Sequence, residues 1–301
     1  MPIHARFAWR MLVLVLVLVL AAAMAARAAA ATVDGIPLHW TSAGAGPQTL
    51  MLVHGWTCDD SSWSGQVPAL TSKYRVLTLD LPGHGRSGKI DAARFSMDLF
   101  ARAVEAVRAE AGADRLVLVG HSMGTPVIRQ YARLYPQRVA ALVLVDGVVV
   151  LGAPPRPGVQ PAQAPVPDRM RGPDGPKNRE AMIRGMFTPA TPAPLQDHVL
   201  KMMLAAPEAT AYGAMVATFD PKNWTSDVMT MPVLGLFADK SALGNPDATR
   251  KVFTSYEHHE IPGTGHFLMM EKPREFNALL SAFVDKLPKA PAAATASTRK
   301  N

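Results

Sequence analysis

The chain has 301 residues, of which 49% are hydrophobic and 18% are charged, a balance typical of a folded globular protein rather than a disordered one. The formal net charge is +7, but the basic residues are scattered among acidic ones, and no basic run is interleaved with aromatic residues, so nucleic-acid binding is not predicted. The single cysteine, Cys58, excludes an intramolecular disulfide.

Residues 1–30 have the features of a secretory signal peptide. Arg6 and Arg10 give a positive start, residues 11–20 form an unbroken apolar run, and Ala-x-Ala cleavage patterns end at Ala28 or Ala30. This predicts export to the periplasm or the medium, with no stable membrane association after cleavage. The alternative is an uncleaved N-terminal anchor, because the following alanines could extend the short apolar run.

The next elements alternate between buried strands and amphipathic helices. Asp34-Gly35 predicts the turn of a hairpin over 33–40. Helices are predicted after Ser96, a candidate N-cap, and over 126–135 and 273–287. Short Val/Leu-rich runs, typical of strands buried on both faces, occur at 50–53, 75–79, 116–119, 141–145 and 233–237. This alternation predicts an α/β fold with a mostly parallel sheet.

Residues 148–230 interrupt the alternation. This segment is first rich in proline and glycine and then rich in methionine, and it lies between two predicted strands. We therefore predict an inserted helical lid over 148–230, with a core formed by 31–147 and 231–287. The tail at 288–301 consists of Ala, Pro, Ser, Thr, Lys, Arg and Asn and is predicted to be disordered.

The strongest motif is Gly-His-Ser-Met-Gly at 120–124, which directly follows a predicted strand and precedes a predicted helix. In such an elbow the serine hydroxyl stands clear of the sheet at a helix N-terminus, where backbone N–H groups favour negative charge. Ser122 is the predicted nucleophile, and the N–H of Met123 is a predicted oxyanion-hole donor. His121 is predicted to contact substrate.

His266 is the predicted general base. It lies on a Gly-rich loop between the strand-like run Tyr256–Ile261 and the last predicted helix, where it is free to reach a serine at the sheet edge. The adjacent Phe267 is predicted to contact substrate. Met182 and Met186 are also predicted to line the pocket, because methionine forms adaptable apolar surfaces, with core packing as the alternative.

The second predicted oxyanion donor is the N–H of Trp56. It follows His54-Gly55 after the strand predicted at 50–53, where an early loop supplies such a donor in elbow-type hydrolases. The Trp56 indole is predicted to wall the acyl pocket.

Four motifs together resemble the α/β-hydrolase superfamily. They are His-Gly-Trp at 54–56, Asp-Leu-Pro-Gly-His-Gly-Arg-Ser-Gly at 80–88, the elbow at 120–124 and Gly-His-Phe at 265–267. The resemblance covers residues 33–287 and implies an eight-stranded sheet, a lid after the sixth strand of that fold and a Ser–His–acid triad. The segment Gly-His-Phe-Leu-Met-Met-Glu-Lys-Pro at 265–273, together with the lid composition, is similar to a group of bacterial hydrolases.

The acid departs from the family pattern. The pattern puts an acid after the seventh strand of the fold, and alignment places Ser241 there, which cannot hold an imidazolium as a carboxylate does. Asp146, directly after the strand predicted at 141–145, is the favoured acid, and Asp239 is the alternative.

These residues predict a serine hydrolase that cleaves carboxylic esters of apolar acyl or aromatic groups through an acyl-enzyme, with a small-molecule ester as its partner. The alternatives are an amide or peptide hydrolase, a perhydrolase or a C–C hydrolase that uses the same triad, and a non-catalytic ligand-binding protein on the same fold. The sequence has no metal-ligand spacing or nucleotide-binding motif, so no cofactor is expected. The oligomeric state is not predicted.

Overall fold

The computed structural model describes residues 31–149 and 167–288, and its central feature is a mostly parallel sheet. The predicted signal peptide or anchor at 1–30 and all but the first residue of the predicted disordered tail lie outside the described residues. Among the helices of the described part, none combines the length and the apolar composition needed to cross a membrane.

In the part of the chain that the structure describes, the main sheet has seven strands in the order β3-β5-β4-β6-β7-β8-β9. Only β3, at one edge, runs antiparallel to its neighbour, so the predicted parallel α/β architecture is confirmed. The central strands are buried along almost their whole length, as expected for strands covered on both faces. The strand bounds are β3 Trp40–Ala43, β4 Thr49–Val53, β5 Arg75–Leu79, β6 Leu116–His121, β7 Val139–Val145, β8 Val233–Ala238 and β9 Tyr256–Ile261.

The strand count differs from the predicted eight. The predicted turn forms, with positive φ at Asp34 (49°) and Gly35 (75°), as a type I′ hairpin turn requires. However, β1 (Thr32–Val33) and β2 (Ile36–Pro37) pair only with each other, as a separate two-stranded sheet. The ladder is two residues long and Pro37 lacks the N–H that a longer ladder would need, so this hairpin adds no strand to the main sheet.

Nine α-helices flank or follow these strands in the described residues, and three of them match the predicted helices. The N-cap prediction is confirmed, because the Ser96 hydroxyl oxygen accepts a hydrogen bond of 3.1 Å from the Leu99 N–H. The helix bounds are α1 Val67–Leu70, α2 Met97–Glu110, α3 Gly124–Leu134, α4 Gly175–Arg184, α5 Ala193–Leu204, α6 Glu208–Phe219, α7 Pro246–Val252, α8 Leu268–Glu271 and α9 Pro273–Lys286.

The connection between β7 and β8 contains α4, α5 and α6, and its residues 150–166 lie outside the described part. Two hydrogen bonds tie α6 to loops at the carboxyl ends of the strands. The Trp56 indole N–H donates to the Ala211 carbonyl at 2.8 Å, and the Thr210 hydroxyl donates to the Gly83 carbonyl at 2.7 Å. α6 is therefore held against the loops that follow β4 and β5, at the strand ends where the predicted site residues sit.

A buried arginine ties together the two ends of this connection. The Arg129 guanidinium, in α3, donates to the Val149 carbonyl at 2.8 Å and to the Thr225 carbonyl at 2.6 Å, and it lies 3.3 Å from the Asp227 carboxylate. Arg129 is almost completely buried, so these partners offset the desolvation of its charge.

Close backbone contact sets the position of α3. A Cβ added to Gly124 would lie 2.4 Å from the Val53 carbonyl oxygen and 3.0 Å from the His54 carbonyl oxygen. The N-terminus of α3 thus meets the end of β4 with no room for a side chain.

We expect Gly124→Ala to lower the free energy of unfolding by about 1–3 kcal/mol, because the new methyl group meets backbone atoms that cannot rotate away. Gly185→Ala is the matched control, since its Cβ would have the Met182 carbonyl oxygen as nearest atom, at 3.3 Å. The control should stay within about 0.5 kcal/mol of the wild type in urea unfolding. Equal stability of the two variants would contradict this packing.

Candidate active site

Ser122 lies on the strained turn between β6 and α3. Its φ is 54°, in the left-handed region that non-glycine residues rarely adopt. Hydrogen bonds on both sides hold the turn, since the Ser122 N–H donates to the Val145 carbonyl at 2.8 Å and the Thr125 N–H donates to the Ser122 carbonyl at 3.0 Å. The side chain is partly exposed, as a hydroxyl that meets a ligand must be.

The His266 imidazole lies between Ser122 and Asp146. Its Nδ1 is 2.6 Å from Asp146 Oδ2, and its Nε2 is 2.9 Å from Ser122 Oγ. Because a carboxylate only accepts, Nδ1 carries the hydrogen and Nε2 is left to accept the hydroxyl proton of Ser122. The structure thus brings three of the predicted catalytic residues into one hydrogen-bonded chain.

Asp146 is buried and satisfied by several donors. Its Oδ1 accepts the Ala238 N–H at 3.1 Å, and the Ser241 side chain also hydrogen-bonds to the carboxylate. Burial by itself raises the pKa of the Asp146 carboxyl, but hydrogen bonds from His266, Ser241 and Ala238 outweigh it, so the pKa lies below its usual value. The carboxylate stays ionised beside His266.

Asp239, the alternative acid, lies elsewhere. It is exposed, and its Oδ2 accepts a long hydrogen bond of 3.4 Å from the Gly263 N–H. Ser241, at the acid position of the family pattern, is buried and serves as a donor to Asp146 instead. Sequence reasoning noted Ser241 only as a missing carboxylate, although a hydroxyl in that position was itself the signal for a partner of the acid.

The two predicted oxyanion donors lie beside the serine. A Cβ added to Gly55 would be 3.0 Å from Ser122 Cβ, so the loop after β4 passes directly along the turn that carries Ser122. Met123 follows Ser122 in the chain. Neither the Trp56 nor the Met123 backbone N–H donates to an acceptor within 31–149 or 167–288. Both amides therefore remain available for a developing negative charge.

His54 sets the orientation of one of these amides, a role that sequence reasoning missed. Its Nδ1 donates to the Gly55 carbonyl at 2.8 Å, and its Nε2 accepts the Leu81 N–H at 3.0 Å. In a trans peptide the carbonyl and the following N–H point to opposite sides, so holding the Gly55 carbonyl also aims the Trp56 N–H.

The residues predicted to contact substrate differ in their burial. Met182 and Met186 are half-buried, and the Met186 carbonyl accepts the His266 N–H at 3.2 Å. The Trp56 indole is buried and bonded to α6.

His121 and Phe267 require a correction. Both are completely buried, and their rings lie 5.2 Å apart, so they support the loop of His266 rather than face an open pocket. His121 Nε2 donates to the His266 carbonyl at 2.9 Å. This hydrogen bond holds the imidazole toward the His266 loop.

One group of metal-binding residue types occurs within the described residues. His39, Asp60 and Asp80 place ligand atoms within 4.8 Å of one another. The Arg86 guanidinium lies 2.8 Å from the Asp60 carboxylate and 3.6 Å from that of Asp80. Since this cation already pairs with both carboxylates, we assign the group to bracing of the loop after β5.

Two buried histidines are neutral in the folded protein. Burial lowers the pKa of His84 to about 3, with His54 adding to the shift, and burial with neighbouring His266 does the same for His121. His84 Nδ1 donates to the Pro82 carbonyl at 3.0 Å.

Acid should therefore destabilise the fold, because between pH 6.5 and about 3 the unfolded chain binds protons at these imidazoles that the native chain does not bind. The stability that neutral His84 provides is complete above pH 6.5 and is lost as the pH falls toward 3. In His84→Asn, the slope of unfolding free energy against pH should fall by about 1.4 kcal/mol per pH unit near pH 4.5. Urea unfolding at several pH values measures the slope. His198→Asn, at an exposed histidine, is the control. An unchanged slope in His84→Asn would contradict the prediction.

Comparison with known proteins identifies relatives of this chain. The chain is 30% identical over 267 residues to the dihydrolipoyllysine-residue acetyltransferase component of the acetoin cleaving system of Pseudomonas putida, covering 85% of this chain and 69% of that protein. It is 38% identical over 111 residues to the pimeloyl-(acyl-carrier protein) methyl ester esterase of Edwardsiella ictaluri, covering 36% of this chain and 40% of that protein. This second match spans less than half of the relative.

A solved structure of a thermophilic esterase from Thermogutta terrifontis superimposes with a TM-score of 0.73 and 26% identity, covering 86% of this chain and 97% of that chain. The family model for the alpha/beta hydrolase fold matches residues 48–273 of this chain, a range that includes Ser122, Asp146 and His266. This chain therefore belongs to the alpha/beta hydrolase fold family.

Proposed function

We propose that this chain is a serine hydrolase that cleaves carboxylic esters through an acyl-enzyme intermediate. The observation that carries the proposal is the position of the His266 imidazole, 2.9 Å from Ser122 Oγ and 2.6 Å from Asp146 Oδ2. A nucleophile, a base and an orienting carboxylate within hydrogen-bonding distance are the parts that acyl transfer requires. Esterase relatives and an esterase neighbour add support.

The first half of the reaction forms the acyl-enzyme. Ser122 Oγ attacks the ester carbonyl carbon while His266 Nε2 takes its proton, and Asp146 stabilises the imidazolium that results. The carbonyl oxygen becomes an oxyanion, which the Trp56 and Met123 amides stabilise. Removing one such donor costs about 10²–10³ in kcat in a related type of site. His266 then gives its proton to the leaving alkoxide oxygen as the C–O bond breaks, and the product alcohol departs.

The second half uses water in the same way. His266 takes a proton from water, the hydroxide attacks the acyl carbon, and the Ser122 oxygen leaves with the proton that His266 returns. Asp146 keeps Nδ1–H in the same orientation through both halves. Its carboxylate is held ionised by His266, Ser241 and Ala238, which supports this role.

We infer that the acyl or alcohol group of the substrate is apolar or aromatic, and that the β7–β8 connection acts as the lid over it. Met182 and Met186, from this connection, are both half-buried, and the Met186 carbonyl accepts the His266 N–H. Their flexible thioether side chains form surfaces that fit varied apolar groups. The complete chain of three catalytic side chains argues against the alternative of a non-catalytic binding protein.

Labelling with a fluorophosphonate probe tests the nucleophile. We expect one labelled site, Ser122, because its hydroxyl contacts the His266 imidazole, and we expect Ser122→Ala to abolish labelling. A panel of p-nitrophenyl esters of increasing acyl length should be hydrolysed, with preference for apolar acyl groups. Turnover of an aminoacyl amide and of no ester would replace the esterase proposal with a peptidase one, and no labelling of folded protein would refute both.

Replacing each candidate acid by asparagine tests which carboxylate orients His266. Asp146→Asn should lower kcat by about 10⁴, because an amide in place of the carboxylate favours the wrong tautomer of His266. Asp239→Asn is the matched control and should retain nearly full activity, because its carboxylate is exposed and bonded to Gly263 instead. The reverse pattern, with a nearly normal Asp146→Asn and an inactive Asp239→Asn, would overturn the assignment.

A further inference from the structure

Two consecutive backbone amides hold the loop that carries His266. The Gly265 N–H donates to both carboxylate oxygens of Glu271, at 3.1 Å and 3.0 Å, and the His266 N–H donates to the Met186 carbonyl at 3.2 Å. The backbone position of His266 determines where its imidazole stands between Ser122 and Asp146. These two amide hydrogen bonds therefore act on the geometry of the site.

Glu271 also contacts the turn between α4 and α5. The Thr191 hydroxyl donates to Glu271 Oε2 at 3.3 Å and also accepts the Thr188 N–H at 3.0 Å. Thr191 is buried, and its own N–H donates to the Thr188 carbonyl at 3.0 Å, so the turn is internally braced. One carboxylate thus bridges the His266 loop and the β7–β8 connection.

Packing leaves little freedom at this junction. A Cβ added to Gly265 would lie 2.8 Å from the Met186 carbonyl oxygen, 3.1 Å from Glu271 Oε1 and 3.2 Å from Thr188 Cγ2. The loop and the turn therefore meet almost backbone to backbone. A shift of the turn changes the environment of the loop directly.

We propose that Glu271 is a positioning residue that fixes the Gly265–His266 backbone and ties it to the turn at 188–191. That part of the β7–β8 connection is then a fixed component of the candidate active site. The proposal rests on the proposed hydrolase function for its kinetic consequences, whereas its structural content does not depend on catalysis.

Steady-state kinetics on a p-nitrophenyl ester tests the positioning role. Glu271→Ala should lower kcat by about 10- to 100-fold, because misplacement of a catalytic group by a fraction of an ångström acts on the reaction rather than on binding. KM should change by no more than about twofold. Glu271→Gln keeps one oxygen as an acceptor for the Gly265 N–H and should recover most of kcat.

Glu275→Ala is the matched control. Glu275 lies one turn further along the chain, is exposed and is 3.9 Å from the Lys272 ammonium group. Removing its carboxylate changes the same net charge without touching the His266 loop, so its kinetic constants should equal those of the wild type. A similar fall in kcat for Glu271→Ala and Glu275→Ala would overturn the positioning role.

Hydrogen exchange of the substrate-free protein tests the bridge independently of activity. In Glu271→Ala, a peptide that spans 262–268 should exchange faster than in the wild type, because the Gly265 amide has lost its acceptor. Thr191→Val should also accelerate exchange in this peptide, and Thr191→Ser, which keeps the hydroxyl, should not.

The outcomes separate the two proposals. Unchanged exchange and unchanged kcat in folded Glu271→Ala would refute the positioning role of Glu271. Wild-type behaviour of Thr191→Val in both measurements would refute the link between Glu271 and the turn at 188–191. Faster exchange in Glu271→Ala together with no ester turnover by the wild type would support the positioning role and refute the proposed function. A lower kcat in Glu271→Ala without faster exchange would show that Glu271 does not act through the Gly265–His266 backbone, and would refute the positioning role.

Discussion

The hydrogen-bonded position of the His266 imidazole is the interaction on which the candidate site depends. Its two partners are 144 and 120 residues away in sequence. They meet because β6 and β7 are adjacent and parallel, with His121 paired with Val145. Ser122 and Asp146 are the next residues of these two strands, so the sheet register sets a hydroxyl and a carboxylate side by side at one edge. The loop after β9 then has only to bring one ring between them.

This arrangement places two non-glycine residues in an unfavourable backbone conformation. Ser122 has a φ of 54° and Asp146 a φ of 40°, and each such residue costs about 1–3 kcal/mol. The neighbouring strands offset part of this, since the Ser122 N–H donates to the Val145 carbonyl at 2.8 Å and the Asp146 N–H donates to the Leu236 carbonyl at 2.9 Å. In this strained conformation, both side chains reach the imidazole of His266.

Three polar side chains outside the hydrogen-bonded chain of Ser122, His266 and Asp146 hold the backbone around it. His54 orients the Gly55 carbonyl, His121 donates to the His266 carbonyl, and Glu271 accepts the Gly265 N–H. Burial keeps His121 neutral, so it donates one hydrogen bond without bringing a competing charge next to His266. Around the site, His121 thus contributes a neutral donor, whereas Glu271 contributes a carboxylate that accepts the Gly265 N–H.

The sequence by itself determined the strand–turn–helix elbow, the loop of His266 and the parallel α/β class, because these follow from local periodicity and from glycines a few residues apart. It favoured Asp146 over Asp239 as the acid without deciding between them, since both follow strand-like runs. Only the tertiary structure decided that Asp146 meets His266 and that Ser241 serves it. It also decided that His121 and Phe267 are buried. These outcomes depend on strand register and on contacts between residues far apart in the sequence, which no local pattern encodes.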